Sequence, residues 1–301
     1  MIQEVSTRTG TPPTENTFHV LPENIIRAYR RRGQRLAVAS VAMNEDLRRA
    51  LTFENRIREG RTTRTEPFEW GIALLNSDLP RVWDLNYLRA DKALPSATAE
   101  SLIQEAERLL GDAGYTHRQI DVYDEQEALR IAPGFLAAGW EALRAVFMVL
   151  RREPDRRAGI AAEQVLWREL RPTVEEEIRL DPLVTTEEVV QQLLGLHSLD
   201  ADATYRRHFG ARVGGRVVSH CDLYSDGETA QVEDVATLME FRNRGLARAV
   251  IQEAVGTALG EGHDFVFIVA DEDDWPKALY ARLGNDAVGT LYTFRRTPAE
   301  G

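Results

Sequence analysis

One order of elements occurs twice in this chain, and that repetition restricts its fold more than any other feature. TAQVEDVATL (229–238) carries β-branched and apolar residues at alternate positions, the period of a strand. RGLARAVIQEAVGTALGEG (244–262) places Leu246, Val250, Ala254 and Leu259 near helical spacing and closes on Gly260 and Gly262. HDFVFIVAD (263–271) reads as a short apolar strand, and DDWPKALYARLG (273–284) as a short helix that tolerates Pro276 in its first turn. DAVGTLYTFRR (286–296) adds a last strand, giving the order β-α-β-α-β.

The same order precedes it. RVWDLNYLRAD (81–91) reads as a strand, SATAESLIQEAERLLGDAGY (96–115) as a helix, HRQIDVYD (117–124) as a strand, EALRIAPGFLAAG (127–139) as a helix broken near Pro133, and EALRAVFMVLRR (141–152) as a strand. Gly114 and Gly262, which end the two long helices, lie 148 residues apart, and the final double arginines, ending at Arg152 and Arg296, lie 144 apart. Two diverged copies of one unit account for both offsets, whereas a single large α/β sheet leaves them a coincidence. The expected class is α/β (α+β): two tandem domains, each a mixed, mainly antiparallel sheet flanked by helices. The boundary is expected at REPDRRAG (152–159), where charge, Pro and Gly follow a strand. That gives a loose, Thr/Pro/Gly-rich tail at 1–17, a first domain at 18–153 and a second at 160–301. In the second, IAAEQVLWREL (160–170) reads as a first strand, helices follow, and a hairpin turns at Gly214 and Gly215.

A hydrophobic content of 43% fits a globular chain, and a net charge of −11 argues against covering nucleic acid or an anionic membrane. No eighteen apolar residues run together, and the start has no signal-peptide pattern. Cys221 is the sole cysteine, so neither an intrachain disulfide nor a cysteine metal cluster can form; His197, His208, His220 and His263 lack metal-ligand spacing, and no metal is expected. A cytoplasmic setting is expected, with the oligomeric state open between monomer and homodimer.

Against this acidic background, Arg242, Arg244 and Arg248 surround Gly245 at a helix start. A helix N-terminus offers unpaired N–H groups and the positive end of the dipole, which together bind phosphate. Gly245 lets backbone approach such a ligand, and Arg242 and Arg244 could add charge-assisted hydrogen bonds. A P-loop needs GK(S/T) and an α/β-hydrolase needs GxSxG; both are absent.

The run Arg242-Asn243-Arg244-Gly245-Leu246-Ala247, between a strand and a helix, resembles the (Arg/Gln)-x-x-Gly-x-(Gly/Ala) signature of the GCN5-related N-acetyltransferases (GNAT), and ALYARLG (278–284) resembles that family's Tyr-x-x-Leu-Gly element. Asn285 stands where phenylalanine is usual, and Met239 where proline is common. The resemblance implies two GNAT-like domains with acetyl-CoA as co-substrate in the second, held by Val235, Ala236, Thr237, Arg242, Asn243, Arg244, Gly245, Leu246, Ala247 and Arg248. Shifted back by 148, the motif falls on Leu94-Pro95-Ser96-Ala97-Thr98-Ala99, without arginine or glycine, so the first copy is expected to be degenerate.

Acetyl transfer to an amine needs a polarised carbonyl, a base and a proton for the departing thiolate. The resemblance implies a backbone N–H near Val235–Thr237 for the first and Tyr280 as general acid. Glu233 is the candidate base: strand parity puts Gln231, Glu233, Val235 and Thr237 on one face and Asp234 on the other. His220 is a candidate for lining the acceptor pocket or a structural residue. Asp273, in the acidic run 271–274, is a substrate candidate or a helix-capping acid. The expected reaction moves acetyl from acetyl-CoA to a primary amine of a small molecule by direct attack; the alternative is a CoA-binding module without turnover.

Overall fold

Most of the predicted strands form where apolar residues alternate or run together, and most helices begin where a side chain or a glycine ends the extended backbone. In this computed structural model the described residues are 44–197, 199 and 205–297; the tail expected at 1–17 lies outside them. Helix α1 (Glu45–Gly60) starts at Asn44, whose side chain accepts the Asp46 amide at 2.9 Å. Strands β1 (Arg64–Phe68), β2 (Gly71–Leu75) and β3 (Tyr87–Ala90) follow, then α2 (Ala99–Ala106), β4 (Arg118–Val122), α3 (Glu125–Ala137) and β5 (Glu141–Leu150). The second half runs β6 (Glu163–Val165), α4 (Trp167–Leu180), α5 (Glu187–Leu196), β7 (Tyr205–Val213), β8 (Arg216–Ser225), β9 (Thr229–Thr237), α6 (Leu246–Gly260), β10 (Phe265–Asp271), α7 (Pro276–Arg282) and β11 (Asn285–Arg296).

Three local readings change. Residues 81–91 begin with a 3-10 turn at Trp83–Leu85, so only Tyr87–Ala90 is strand. Residues 160–170 give a strand of just Glu163–Val165 before α4 begins, its start held by Glu169 Oε2 accepting the Leu166 amide at 3.1 Å. Helix α3 runs through Pro133, because Phe135, buried behind it, stacks on Phe294 with ring centroids 4.2 Å apart; such a contact offsets part of the roughly 3 kcal/mol a helical proline costs.

The strands form one eleven-stranded sheet in the order β1-β2-β3-β4-β11-β5-β10-β9-β8-β7-β6. Only β3 with β4 and β9 with β10 are parallel, so the sheet is mixed and mainly antiparallel as expected. Apart from β6, which has no counterpart, the order is symmetric about the β11–β5 pair. The final strand of each half crosses over: β5 pairs with β10 and β11 with β4, while β5 and β11 pair with each other. The two halves therefore share one sheet instead of closing separate ones.

Helices cover both faces. Against one lie α6 and α7, packed on Val232, Val266, Ile268 and Met148, with α2 and α3 at the equivalent places of the first half. The opposite face carries α1 over Phe147, Phe267 and Leu291, and α4 with α5 over Val165 and Val217. Residues 151–162, which hold the expected boundary, are pinned: the Arg151 and Asp155 amides donate to the Gly284 and Arg282 carbonyls at 2.9 and 2.8 Å. Gly284 has φ +100°, and a Cβ there would sit 1.9 Å from the Arg152 carbonyl oxygen, so this junction admits only glycine. No helix among the described residues is long and apolar enough to cross a membrane.

Candidate active site

The site begins with a defect in β9. Along β8, His220 pairs with Ala236 and Asp222 with Glu233, so Cys221 faces two residues, Asp234 and Val235. Asp234 takes φ 52° to make this bulge. On the other side β9 pairs with β10 only through Val232, opposite Ile268. Beyond that point the two parallel strands part, and the bulge carries β9 away from β10.

The bulge overturns the parity reading of this strand. Val235 packs into the same apolar cluster as Val232, and Asp234 lines one cavity together with Gln231 and Glu233. An extra residue shifts the period-two alternation by one, which no pattern in VEDVAT announces.

Helix α6 starts beside this opening. Asn243 and Gly245 have φ 62° and 82°. No side chain caps the helix, and its first turn holds no acidic residue. Among the described residues, the amides of 243–248 donate to no protein acceptor, while the Ala249 amide reaches the Gly245 carbonyl at 3.2 Å. A Cβ on Gly245 would meet nothing within 4 Å, so open space lies against this backbone. Successive free amides at a positive dipole end form an anion cradle.

The three arginines differ. Arg242 donates through Nε to the Thr237 carbonyl at 3.1 Å, and Arg244 donates to the Glu240 carbonyl at 2.9 Å while lying over the Phe241 ring. Both are exposed and make no carboxylate pair among the described residues. Arg248 is buried, bonded to Asp155 at 2.6 Å and to the Arg156 carbonyl at 3.2 Å. It ties α6 to the segment after β5; its charge is already matched there.

Residues 167–284 match the Acetyltransferase (GNAT) family. The match spans 118 of the chain's 301 residues. A sequence search of curated proteins gives no match. Among solved structures, a functionally unknown conserved protein from Staphylococcus epidermidis superposes with TM-score 0.61 at 14% identity, covering 78% of this chain and 94% of that one. A GCN5-related N-acetyltransferase from Kribbella flavida gives 0.55 at 19%, covering 86% and 98%. At such identities the likeness is one of fold.

Within the matched segment, Tyr280 lies 6% exposed on α7, in the cluster that includes Leu246 and Val250 of α6. Burial, then the nearby Glu233 carboxyl, pushes its phenol well above the ordinary value, so it stays protonated. Its carbonyl accepts from the Asn285 side chain at 3.1 Å; the residue that departs from the family pattern thus closes the end of α7. Glu233 accepts a hydrogen bond from Gln231. Burial, then the charges of Asp234 and Glu54, raise its pKa from 4.5 to about 8.

The remaining candidates are engaged elsewhere. His220 is buried, with Nε2 2.7 Å from Glu177 of α4 and Nδ1 without a partner; burial would lower its pKa, but the Glu177 bond and charge outweigh this and raise it. Asp273 is bonded to Arg144 of β5 at 2.5 Å, which fastens the loop after β10 to the first half. Ala236 and Thr237 meet the Ser219 hydroxyl at 2.8 Å each.

Tertiary structure also brings in groups the sequence reading missed. Glu54, Arg58 and Arg61 of α1 and its C-terminal cap line the Glu233 cavity with Tyr224 and Arg206. They come from more than 160 positions upstream of Glu233 and carry no local motif. Despite the absence of ligand spacing, His197, Asp222 and Asp234 converge within 4.8 Å. Arg206 contacts both His197 and Asp222, so a guanidinium supplies the positive charge of that cluster.

Proposed function

We propose that this chain transfers an acetyl group from acetyl-CoA to the primary amine of a small molecule. The observation that carries the reading is the uncapped start of α6: free amides at 243–248 beside the gap where β9 leaves β10, with Arg242 and Arg244 exposed at its rim. These groups fit a pyrophosphate, and the gap fits an extended thioester arm.

In this reading the donor supplies an activated acetyl carbonyl. Ionised Glu233 takes a proton from the acceptor's ammonium group, and the freed nitrogen forms the new C–N bond. Tyr280 gives its phenolic proton to the departing sulfur as the C–S bond breaks, and the surplus proton on nitrogen returns to Tyr280. Val235–Thr237, no longer paired to β10, present backbone to the carbonyl. The products are an amide and a thiol, with one proton left on Glu233.

The symmetric sheet order supports a second part of the proposal: the chain is a tandem duplication whose first copy, within 18–153, is degenerate and whose second, within 160–301, holds the donor. The lone, buried Cys221 suits a reducing cytoplasmic setting. The test is release of free thiol from acetyl-CoA across polyamines, amino acids, aminoglycosides and peptide N-termini. Turnover of an amine supports the enzyme; tight acetyl-CoA binding with no acceptor in that panel favours a binding module.

A further inference from the structure

The cavity beside Glu233 has a volume of about 150 Å³ and is walled by both halves of the chain. A volume of that order holds a molecule about the size of benzene, and since the cavity is partly open, it is the part of an acceptor lodged in it that has few heavy atoms. Its charges are unevenly satisfied. Arg58 is bonded to Glu54 at 3.0 Å and to Asp121 at 2.9 Å, and Arg206 is bonded to Asp222 and lies 3.7 Å from Asp234.

Arg61 differs from these two. Its guanidinium donates to the Tyr224 hydroxyl at 2.8 Å and lies 5.2 Å over that ring, yet it makes no carboxylate pair among the described residues, and its Nε is buried without a partner. Its backbone is fixed as the cap of α1, and its carbonyl accepts from Asn76 at 2.7 Å. On the opposite side of the balance, Glu233 accepts from the Gln231 side chain and from the Asp234 backbone, and although the Arg58 charge acts on it, it forms no ion pair among the described residues; the Gln231 Oε1 is itself buried without a donor. One small cavity therefore presents a guanidinium and a carboxyl that each lack an ion pair among the described residues, although the Arg61 charge also acts on Asp234 and that of Arg58 on Glu233.

We infer that the acceptor is a small amino acid: a zwitterion whose carboxylate is held by Arg61 and whose amine faces Glu233. This rests on the acetyl-transfer reading of the site and narrows it. A guanidinium binds a carboxylate through paired hydrogen bonds, and a plain amine would leave the Arg61 guanidinium with only the Tyr224 hydroxyl. The inference also gives the first half a task, since Arg61 sits at the end of α1 while Glu233 belongs to β9. Arg61 is a specificity residue here, acting on the substrate's charge and not on the reacting atoms.

The experiment compares glycine and L-alanine with L-alaninamide and ethylamine as acceptors, by thiol release from acetyl-CoA, and measures acetyl-CoA binding separately by calorimetry. The expected result is a preference for L-alanine over L-alaninamide of about 10- to 100-fold in kcat/KM, expressed mainly in KM. In Arg61→Gln that ratio collapses toward one, and Arg61→Lys keeps part of it. Amides or ethylamine turned over as well as amino acids by the wild type, or an unchanged ratio in Arg61→Gln, would overturn the inference while leaving the donor site intact. Failure to bind acetyl-CoA at all overturns the acetyl-transfer reading and this inference with it.

Discussion

Helices α2 and α6 occupy equivalent places in the two halves, each between a pair of parallel strands, yet their N-termini are chemically opposite. At α2 the Thr98 side chain accepts the Ser101 amide at 3.1 Å while Ser101 Oγ accepts the Thr98 amide at 3.0 Å, a closed capping box. The preceding loop is held by Arg130, which donates to the Leu94 and Ala97 carbonyls at 2.9 Å each. At α6 the same positions are left unsatisfied and facing open space. A capped end is stable by itself and has little to offer a ligand; an uncapped end forgoes about 1 kcal/mol of stability and keeps its amides for an anion.

The difference can be broken most severely at Gly245. Glutamate there sets a side chain and a negative charge in the cradle, and acetyl-CoA affinity is expected to fall by about 1000-fold, or about 4 kcal/mol. Calorimetry on the wild type should give one site per chain; two equal sites would mean that α2 binds as α6 does.

Next in size is Tyr280→Phe, expected to lower kcat by ~10²-fold with donor affinity retained, because only the proton donor is lost. Arg248→Ala is expected to destabilise the fold by about 2 kcal/mol, read as a lower urea midpoint. Its guanidinium anchors Asp155, and a loss confined to donor affinity would return Arg248 to the cradle.

Glu233 sharpens the comparison through pH. Its raised pKa of about 8 means that the base form grows as pH rises, so the wild-type rate should climb through pH 8 and then level. Glu233→Gln should lose this limb and run roughly tenfold or more below the wild-type plateau. The stability sign is the opposite: between 4.5 and about 8 the folded state keeps a proton that the unfolded chain releases, so the wild type loses stability over that window and the glutamine variant does not. The smallest effect belongs to Thr98→Ala, expected to cost about 1 kcal/mol of stability and to leave the count of acetyl-CoA sites at one. A second site appearing in that variant would show that the cap alone silences the first copy.

Much of this was legible in the residues. The repeated β-α-β-α-β order and the arginines around Gly245 are local patterns, read over a few turns of helix or a few strand residues, and local sterics and periodicity set them directly. The bulge at Asp234 was not, because one extra residue costs little in either reading and is decided by what β8 and β10 offer as partners. Arg248 looked like its neighbours until Asp155, 93 positions away, was seen to claim it.

What the sequence determined by itself was the set of elements, their repeated order and the chemistry of a free helix start. The tertiary structure alone decided that β5 and β11 cross between the halves, so that two units share one sheet, and that Arg61 stands across a cavity from Glu233. The physical reason is the same in both cases. Strand pairing and cavity walls are contacts between segments more than a hundred residues apart, whose loop-closure cost is met only by the whole folded sheet, and no short window of sequence records which distant partner wins.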